Sequence, residues 1–314
     1  MTRQRGAALL LALFVMALAT MIVTGLFWRQ FVLIRTIENQ QLAAQSRFLL
    51  HGALDWAAAI LRQQTHPTYD ALSDPWAQPL APTRLDQLGE TSTLAAQATI
   101  AGRIEDAQAR FNLRNLVQAG GAIDPTQLAV LAKLAALLGT PGDTAALIAR
   151  YVAAAYAGTA PVAVPGAASG NASLAANRPL PPVFPADLQD IPGISPAAAR
   201  ALAPFVIMLD QGGTPVNFNT APPEVMAAVI PGLNIGDANA IAAERDQAYF
   251  ISVADLLNRL HGRGGPFSGA GVATNTQYFI VHGTVRLGRA VASLEALVAR
   301  PPLQGPINVL WQRN

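Results

Sequence analysis

Residues 7–28 read AALLLALFVMALATMIVTGLFW, an apolar stretch of 22 residues that contains no charge. An α-helix rises about 1.5 Å per residue, so this stretch spans about 33 Å, close to the thickness of the hydrocarbon core of a bilayer. We therefore expect one membrane pass. A removed secretory signal fits less well, because its apolar region is only about 7 to 15 residues long.

The charges on the two sides of this stretch bear on its orientation. The leader MTRQRG carries Arg3 and Arg5, and positive charges before a span favour a cytoplasmic N-terminus. Arg29 and Arg35 on the other side weaken that contrast. We expect the N-terminus in the cytoplasm and the body of the protein outside it.

Helical periodicity continues beyond the apolar stretch. Apolar residues recur at steps of four, three and four residues, as on one face of an amphipathic helix, at Leu49, Ala53, Trp56 and Ile60. The sequence therefore predicts one long helix that reaches about Gln64. A generic single-pass anchor has the same features.

The composition excludes several classes of protein. Of the 314 residues 52% are hydrophobic and 13% are charged, which is too apolar for a disordered chain and long enough for about two domains. The absence of cysteine excludes disulfides, thiolate nucleophiles and cysteine-ligated metal sites. A net charge of +2 over this length makes a weak field for binding nucleic acid, although the pI is 9.3.

The sequence predicts a loop, a strand, two helices and a linker after the long helix. The proline-rich residues 65–82 cannot form a continuous helix and are expected to be a loop. The alternation of residues 98–104 then predicts a strand. From Pro125 to Ala157 the chain is rich in Ala and Leu, and Asp124 and Asp143 mark the starts of two helices. Residues 158–186 have the composition of a surface loop or linker.

Two similar units follow, each with an Ile-Pro-Gly turn, at residues 191–194 and 230–233. A repeat of a Pro-Gly hairpin between helices explains both, and it resembles a helix-hairpin-helix or SAM-like unit. Such hairpins bind nucleic acid through backbone N–H groups. From residue 185 to residue 260, however, three arginines face eight carboxylates, a net charge of −5 that repels a polyanion. We therefore expect a protein scaffold. The alternative is a membrane-tethered helix-hairpin-helix DNA-binding protein of the competence type.

Two further segments complete the pattern. In PVNFNTAPPEVMAAVI, residues 215–230, Pro222 and Pro223 suit the first turn of a helix, and this role is favoured over a catalytic one for Asn217, Asn219 or Thr220. Alternation in residues 279–287, followed by a second apolar run, predicts two antiparallel strands joined near residues 287–289.

These segments together resemble a known family. The Gly6-Ala7 junction before the apolar stretch resembles a type IV prepilin leader. The segments RFNLRNLV (110–117) and VNFNTAPPEV (216–225) closely resemble two motifs of type II secretion system minor pseudopilin K, the general secretion pathway protein K family. One departure is Arg114, which stands where the first motif usually has a second Asn.

The resemblance implies a fold and a processing site. The implied fold is α+β, a pseudopilin core with a large inserted α-helical domain of SAM-like or helix-hairpin-helix repeats. The implied divisions are 1–6 leader, 7–28 membrane helix extended to about 64, 65–115 first part of the core, 116–270 inserted domain with two SAM-like subdomains, and 271–314 last strands. A prepilin peptidase would cut after Gly6 and methylate Ala7. Leu11 stands where most pilins have Glu, and the lack of that Glu is typical of this family. A leucine also suits any membrane helix.

The resemblance also implies partners and structural residues. It implies a pseudopilus tip that contains minor pseudopilins I and J, followed by H and the major pseudopilin, and that supports protein secretion from the inner membrane with the body in the periplasm. The residues that match the motifs and for which it implies a structural role are Phe111, Asn112, Asn217, Asn219, Thr220 and Pro222.

The sequence indicates no catalytic residues. The histidines lie outside recognisable metal or nucleophile motifs, and no P-loop, Gly-x-Ser-x-Gly or Gly-x-Gly-x-x-Gly segment occurs. A membrane-anchored periplasmic enzyme is therefore the weaker alternative. The resemblance also implies Ca²⁺ binding, and clustered carboxylates are the ligands that Ca²⁺ prefers. The candidates are Asp187, Asp190, Asp237, Glu244 and Asp246, which also suit solvated loops and helix ends, and no ligand is assigned.

Overall fold

The structure is a computed structural model that describes residues 4–63, 66–89, 92–157, 179–260, 262–301 and 305–313. Helix α1 runs without a break from Gln4–Arg62, and its residues 7–36 are all exposed. The expectation of one long helix that includes the apolar stretch is confirmed. By length and composition this helix can cross a membrane.

The last third of α1 packs on a sheet, and here the predicted face is wrong by one residue. The side chains that the sheet buries are Leu50, Leu54, Ala57 and Leu61. The predicted face, Leu49 to Ile60, lies beside them and is only partly buried, and Trp56 is 45% exposed. Both faces are apolar at helical spacing, so periodicity alone does not distinguish between them.

The sheet has five antiparallel strands in the order β1-β2-β7-β8-β9. Their bounds are β1 Leu80–Arg84, β2 Ala98–Asp106, β7 Tyr278–Leu287, β8 Ala290–Ala299 and β9 Asn308–Arg313. The predicted strand at 98–104 and the predicted pair around residues 287–289 are confirmed. The expectation of a loop throughout residues 65–82 is wrong at its end, because β1 begins at Leu80. Pro82 is compatible with β1 because β1 is an edge strand.

The helical region lies between β2 and β7 in the sequence. The helices that the structure describes there are α3 Pro125–Leu137, α4 Thr144–Tyr156, α5 Pro196–Leu202, α6 Pro223–Val229, α7 Ile235–Gln247 and α8 Val253–Arg259, and a short helix α2, Thr93–Gln97, precedes β2. Two-residue parallel pairs join β3 Phe111–Asn112 to β4 Val206–Ile207 and β5 Val216–Asn217 to β6 Val272–Ala273. The helix starts at Asp124 and Asp143 are confirmed. Most of the predicted linker, residues 158–178, lies outside the described residues.

The two Pro-Gly turns differ in what precedes them. The second joins helices α6 and α7, as expected, and Pro222 and Pro223 stand at the start of α6. The first lies between a 3-10 helix, Pro185–Asp190, and helix α5, so the helix before it is of the 3-10 type. At both turns the glycine has a positive φ, 89° at Gly193 and 70° at Gly232, which only glycine adopts without strain.

Three apolar cores hold these parts together. One fills the helical region, one lies between α1 and the sheet, and a small third core joins the two where Ile207 and Leu209 meet Ile280 and Leu297. The opposite end of the sheet, at the β7–β8 turn, contacts α1 through Arg289 and Glu38. The helical region therefore lies at the end of the sheet far from the exposed half of α1. The α+β expectation is confirmed, and the domain boundaries stay predictions.

Candidate functional site

The first motif asparagine, Asn112, is a buried connector between two distant segments. Its Nδ2 donates to Gln211 O at 2.7 Å, and its Oδ1 accepts from the backbone N–H groups of Leu209 and Arg114. The neighbouring Phe111 is 2% exposed and packs in the core of the helical region. Asn112 thus connects β3 to the segment that follows β4.

The second motif is also buried and its amides are bonded. Asn219 Nδ2 donates to Phe250 O at 2.8 Å and to Thr274 O at 3.1 Å, and its Oδ1 accepts from Phe250 N. Asn217 Oδ1 accepts from Asn219 N, which closes the turn, and Pro222 then provides the first carbonyl of helix α6. These contacts fit the structural role predicted for the motif residues, which stays a prediction.

Asp106 is the residue on which the second motif converges. It ends β2, is 5% exposed, and accepts from Asn217 Nδ2 at 2.8 Å, Thr220 Oγ1 at 2.6 Å and Gln108 N at 2.7 Å. Within the described part of the chain no cation pairs with it. Burial raises the pKa of Asp106 to about 6, and its hydrogen bonds with neighbouring residues oppose this rise.

A second buried carboxylate lies at the same boundary and was not predicted. Asp70 is 1% exposed, accepts from Thr276 N at 2.9 Å, and pairs with Arg300 Nη2 at 2.6 Å. Gln108 accepts from Gln277 N and donates to Pro215 O, so it links this site to the helical region. Only the tertiary fold brings these residues together, since Asp70 and Arg300 are 230 positions apart.

The Pro-Gly turns are covered by other parts of the chain. At Gly193 a Cβ atom would lie 3.2 Å from the side chain of Leu147, and at Gly232 it would lie 2.8 Å from Gly265 N. Gly265 N also donates to Pro231 O, and Lys133 Nζ donates to Ile230 O and Leu233 O. Burial lowers the pKa of Lys133. Both turns therefore pack closely against other parts of the protein.

The candidate calcium ligands do not assemble. Asp187 accepts from Val183 N and Phe184 N, Asp237 pairs with Asn234, and Glu244 pairs with Arg263. Over the described ranges no group of three or more His, Asp or Glu side chains is placed to hold a metal ion. Calcium stays a prediction of the resemblance, without ligands.

The histidines are dispersed. His66 Nδ1 lies 3.1 Å from Asp74 and its ring stacks on Tyr69, while His51 is exposed on α1. His282 Nε2 lies 3.4 Å from Glu105 Oε1 without a hydrogen bond. His261 lies outside the described residues. None of these contacts joins a histidine to a nucleophile.

The exposed half of α1 carries the predicted processing site. Gly6 and Ala7 lie in its first turns, and Leu11 is 65% exposed on the apolar surface. An apolar helix exposed over some thirty residues needs lipid or other helices to cover it. Together with the antiparallel sheet that packs on its C-terminal part, it defines a membrane-anchored protein of the pilin-like class.

Comparisons with known proteins identify the family. Family models described as type II secretion system protein K match residues 109–211 and 216–275. The type II secretion system protein K of Pseudomonas aeruginosa is 31% identical over 299 residues, which cover 91% of this chain and 85% of that protein. The Klebsiella pneumoniae protein is 27% identical over 270 residues, 82% and 80% of the two chains.

A solved structure has the same fold. The GspK chain in the crystal structure of the GspK–GspI–GspJ complex from enterotoxigenic Escherichia coli matches with a TM-score of 0.65 and 19% identity, over 88% of this chain and 98% of that chain. The chain belongs to the type II secretion system protein K family. It is a minor pseudopilin, a structural component of that system, and the predicted family is confirmed.

Proposed function

We propose that this chain forms the tip of the periplasmic pseudopilus with minor pseudopilins I and J and supports export of folded proteins across the outer membrane. The observation that carries the proposal is the position of the helical region, at the end of the sheet far from the exposed half of α1. There it blocks the place where another subunit would stack. Complex formation between GspK, GspI and GspJ in the matching structure supports these partners.

The exposed half of α1 supplies the contacts with the rest of the fibre. Helices in lipid associate by close packing, and Gly25 and the alanines of the span allow close approach to H and the major pseudopilin below. Leu11 brings no carboxylate into the membrane, so no amine of a neighbour is needed to neutralise one. A subunit at the tip does not need that pairing, because only one side of it contacts the fibre.

We place the N-terminus in the cytoplasm and the body in the periplasm, with processing at Gly6 and Ala7 by prepilin peptidase. Removal of the leader takes away Arg3 and Arg5, so Lys+Arg falls from 21 to 19 and equals the 19 Asp+Glu. The net charge of the precursor thus belongs to its orientation signal, and the mature protein is neutral and suited to packing against other proteins.

The assembly proposal is tested by coexpressing the full chain with I and J and purifying it in detergent. We expect all three to copurify, and we expect loss of secretion when the gene is deleted. A chain that binds neither I nor J would overturn the tip position. Capture of H alone would place the subunit elsewhere in the fibre.

The processing proposal has its own test. The full chain is coexpressed with prepilin peptidase and the N-terminus of the product is sequenced. We expect a chain that starts at a methylated Ala7, and a matched Gly6→Val variant that keeps Met1. A product cut after Trp28 would instead identify the apolar stretch as a removable signal.

We propose no nucleic-acid partner and no enzymatic role. The covered hairpins and the net charge of −5 in residues 185–260 support the first statement, and the dispersed histidines support the second. Salt-dependent binding of duplex DNA in a gel-shift experiment would favour the competence-type alternative. Calorimetric titration with Ca²⁺ decides whether the family's association with calcium extends to this chain.

A further inference from the structure

The exposed apolar surface of α1 is longer than a bilayer requires. After Trp28 it continues through five large apolar side chains that are 46–60% exposed: Phe31, Val32, Leu33, Ile34 and Ile37. From residue 7 to residue 34 the helix is about 42 Å long at 1.5 Å per residue, whereas the hydrocarbon core is about 30 Å thick. Excess length is accommodated by tilt and by arginine side chains that extend to the interface. The edge of the bilayer therefore falls between Trp28 and Ile37.

This position brings one end of the sheet to the membrane surface. The β7–β8 turn contacts α1 immediately after Ile37, where Arg289 Nη2 lies 3.0 Å from Glu38 Oε2 and Arg289 Nε donates to Asn39 Oδ1 at 3.0 Å. Because α1 is continuous from the span to this contact, the turn meets α1 one residue beyond Ile37, the last exposed apolar side chain of that surface.

The side chains at this level are mostly basic. We call Arg29, Arg35, Arg286 and Arg289 the basic collar; all four are exposed. Among the described residues Glu38 is the acid that faces it, and it is shared between Arg35 and Arg289. Arg84 and Asp86, at the same end of β1, pair with each other. The collar thus keeps a net positive charge, whereas residues 185–260 at the far end carry −5.

The aromatic side chains at this level have the arrangement of a membrane interface. The rings of Trp28 and Phe31 lie 6.3 Å apart, and the Arg35 guanidinium lies over the Phe31 ring at 5.2 Å. Aromatic rings are enriched at the headgroup level of membrane proteins, and clustered arginines beside a span attract anionic lipids.

We propose that the basic collar docks the β7–β8 turn on anionic phospholipid headgroups, so that the sheet stands directly on the membrane surface. The partner is a phospholipid because Arg29 and Arg35 stand on α1 where the span ends, and Arg286 and Arg289 stand at the end of the sheet that meets α1 just after Ile37. The field of exposed charges reaches about 10 Å at 0.1 M salt. The attraction depends on the membrane-anchoring helix and not on binding to I and J.

The test uses the full chain in lipid nanodiscs made of phosphatidylcholine alone or of phosphatidylcholine with phosphatidylglycerol. Amide hydrogen exchange is followed in the β7–β8 turn. We expect several-fold slower exchange in the anionic discs at low salt, and we expect high salt to remove the difference. Equal exchange in the two lipids would overturn the proposal, and so would protection that appears only when I and J are added.

Arginine variants distinguish an effect of the basic collar's position from an effect of the net charge of the protein. The double substitution Arg286→Gln and Arg289→Gln should abolish the lipid-dependent difference, measured for the variant itself as its exchange in phosphatidylcholine discs against its exchange in anionic discs. Arg289→Gln also removes the contacts with Glu38 and Asn39, so the baseline exchange of the turn is expected to rise equally in both lipids. Arg200→Gln is the matched control, because Arg200 is exposed in the helical region far from the collar. If Arg200→Gln removes the difference equally, the overall charge and not the collar is responsible, and the proposal fails.

Discussion

The Asp70 and Asp106 sites show two ways of burying a carboxylate at one boundary. Asp70 forms an ion pair with Arg300 and accepts a hydrogen bond from Thr276 N, and all three residues lie in the part of the chain that forms the sheet and its loops. Asp106 has neutral donors, and two of them, Asn217 and Thr220, belong to the helical region. The first site therefore connects the loop after α1 to the end of β8. The second attaches the helical region to the sheet through a group that titrates.

The largest effect is expected when the ion pair is broken. Arg300→Met leaves the Asp70 carboxylate buried without its cation, which costs about 3–5 kcal/mol of unfolding free energy. Denaturant unfolding of the full chain in detergent, followed by tryptophan fluorescence, measures this cost. The double variant with Asp70→Asn should recover part of it. A loss of only about 0–1 kcal/mol, as for a surface pair, would mean that the site is hydrated.

The second prediction concerns pH and belongs to Asp106. Its pKa is about 6 in the folded chain and 3.8 ordinarily, so the folded state binds more protons between these values. Its contribution to stability is complete below about pH 4 and is lost as the pH rises through 6, a change of about 3 kcal/mol.

The matched variant isolates this contribution from those of the other carboxylates. Asp106→Asn does not titrate, so the difference in unfolding free energy between the two chains should vary with pH only between about 4 and 6. The asparagine side chain has one acceptor oxygen and one NH2 group. Whichever way the amide is turned, its NH2 group faces a donor that the Asp106 carboxylate accepts from. The variant is therefore less stable than the parent chain at low pH. A difference that does not vary with pH would contradict the assignment.

Asn217→Ala should have a smaller effect of about 1–3 kcal/mol, because it removes one donor to Asp106 and the acceptor of Asn219 N. The loss should be larger above pH 6, where the ionised carboxylate needs the donor more. Denaturant unfolding at two pH values measures it. Asn239→Ala, at an exposed position on helix α7, is the control and should change stability little.

The smallest effect is expected for Thr220→Val, which keeps the shape of the side chain and removes one hydroxyl donor. We expect a loss of about 1 kcal/mol, with Thr220→Ser close to the parent chain. The same unfolding assay decides the order. If Thr220→Val costs more than Arg300→Met, the ranking of paired and unpaired sites is wrong.

Much of the fold was predictable because its signals are local. The apolar stretch of α1, the alternation of β2 and β7, and the helix starts at Asp124 and Asp143 all depend on residues that are near one another in sequence. The face of α1 was missed by one residue because two adjacent faces are apolar. Strand β1 was missed because Pro82 is acceptable only at an edge, which the sequence does not reveal.

The site was predictable only in part, for a similar reason. Two separate Asn-containing motifs marked Asn112, Asn217 and Asn219, but the partners of these side chains are set by the tertiary fold. Asp70 and Arg300 are isolated charges in sequence, and Asp106 resembles any strand-end carboxylate. No periodic or spacing rule joins residues that are 111 or 230 positions apart.

The pairing of β2 with β7 sets an order of folding. Asp106 pairs with Phe279, and the whole helical region lies between them, so the sheet forms only after residues 107–277 have been synthesised. Closing so long a loop is slow for a flexible chain, but a helical region that has already folded holds its two ends close together and removes most of that entropic cost. The apolar face of α1 at Leu50 and Leu54 is uncovered until then. Pairing of β2 with β7 is therefore a late step of folding, because β7 is synthesised only after the whole helical region.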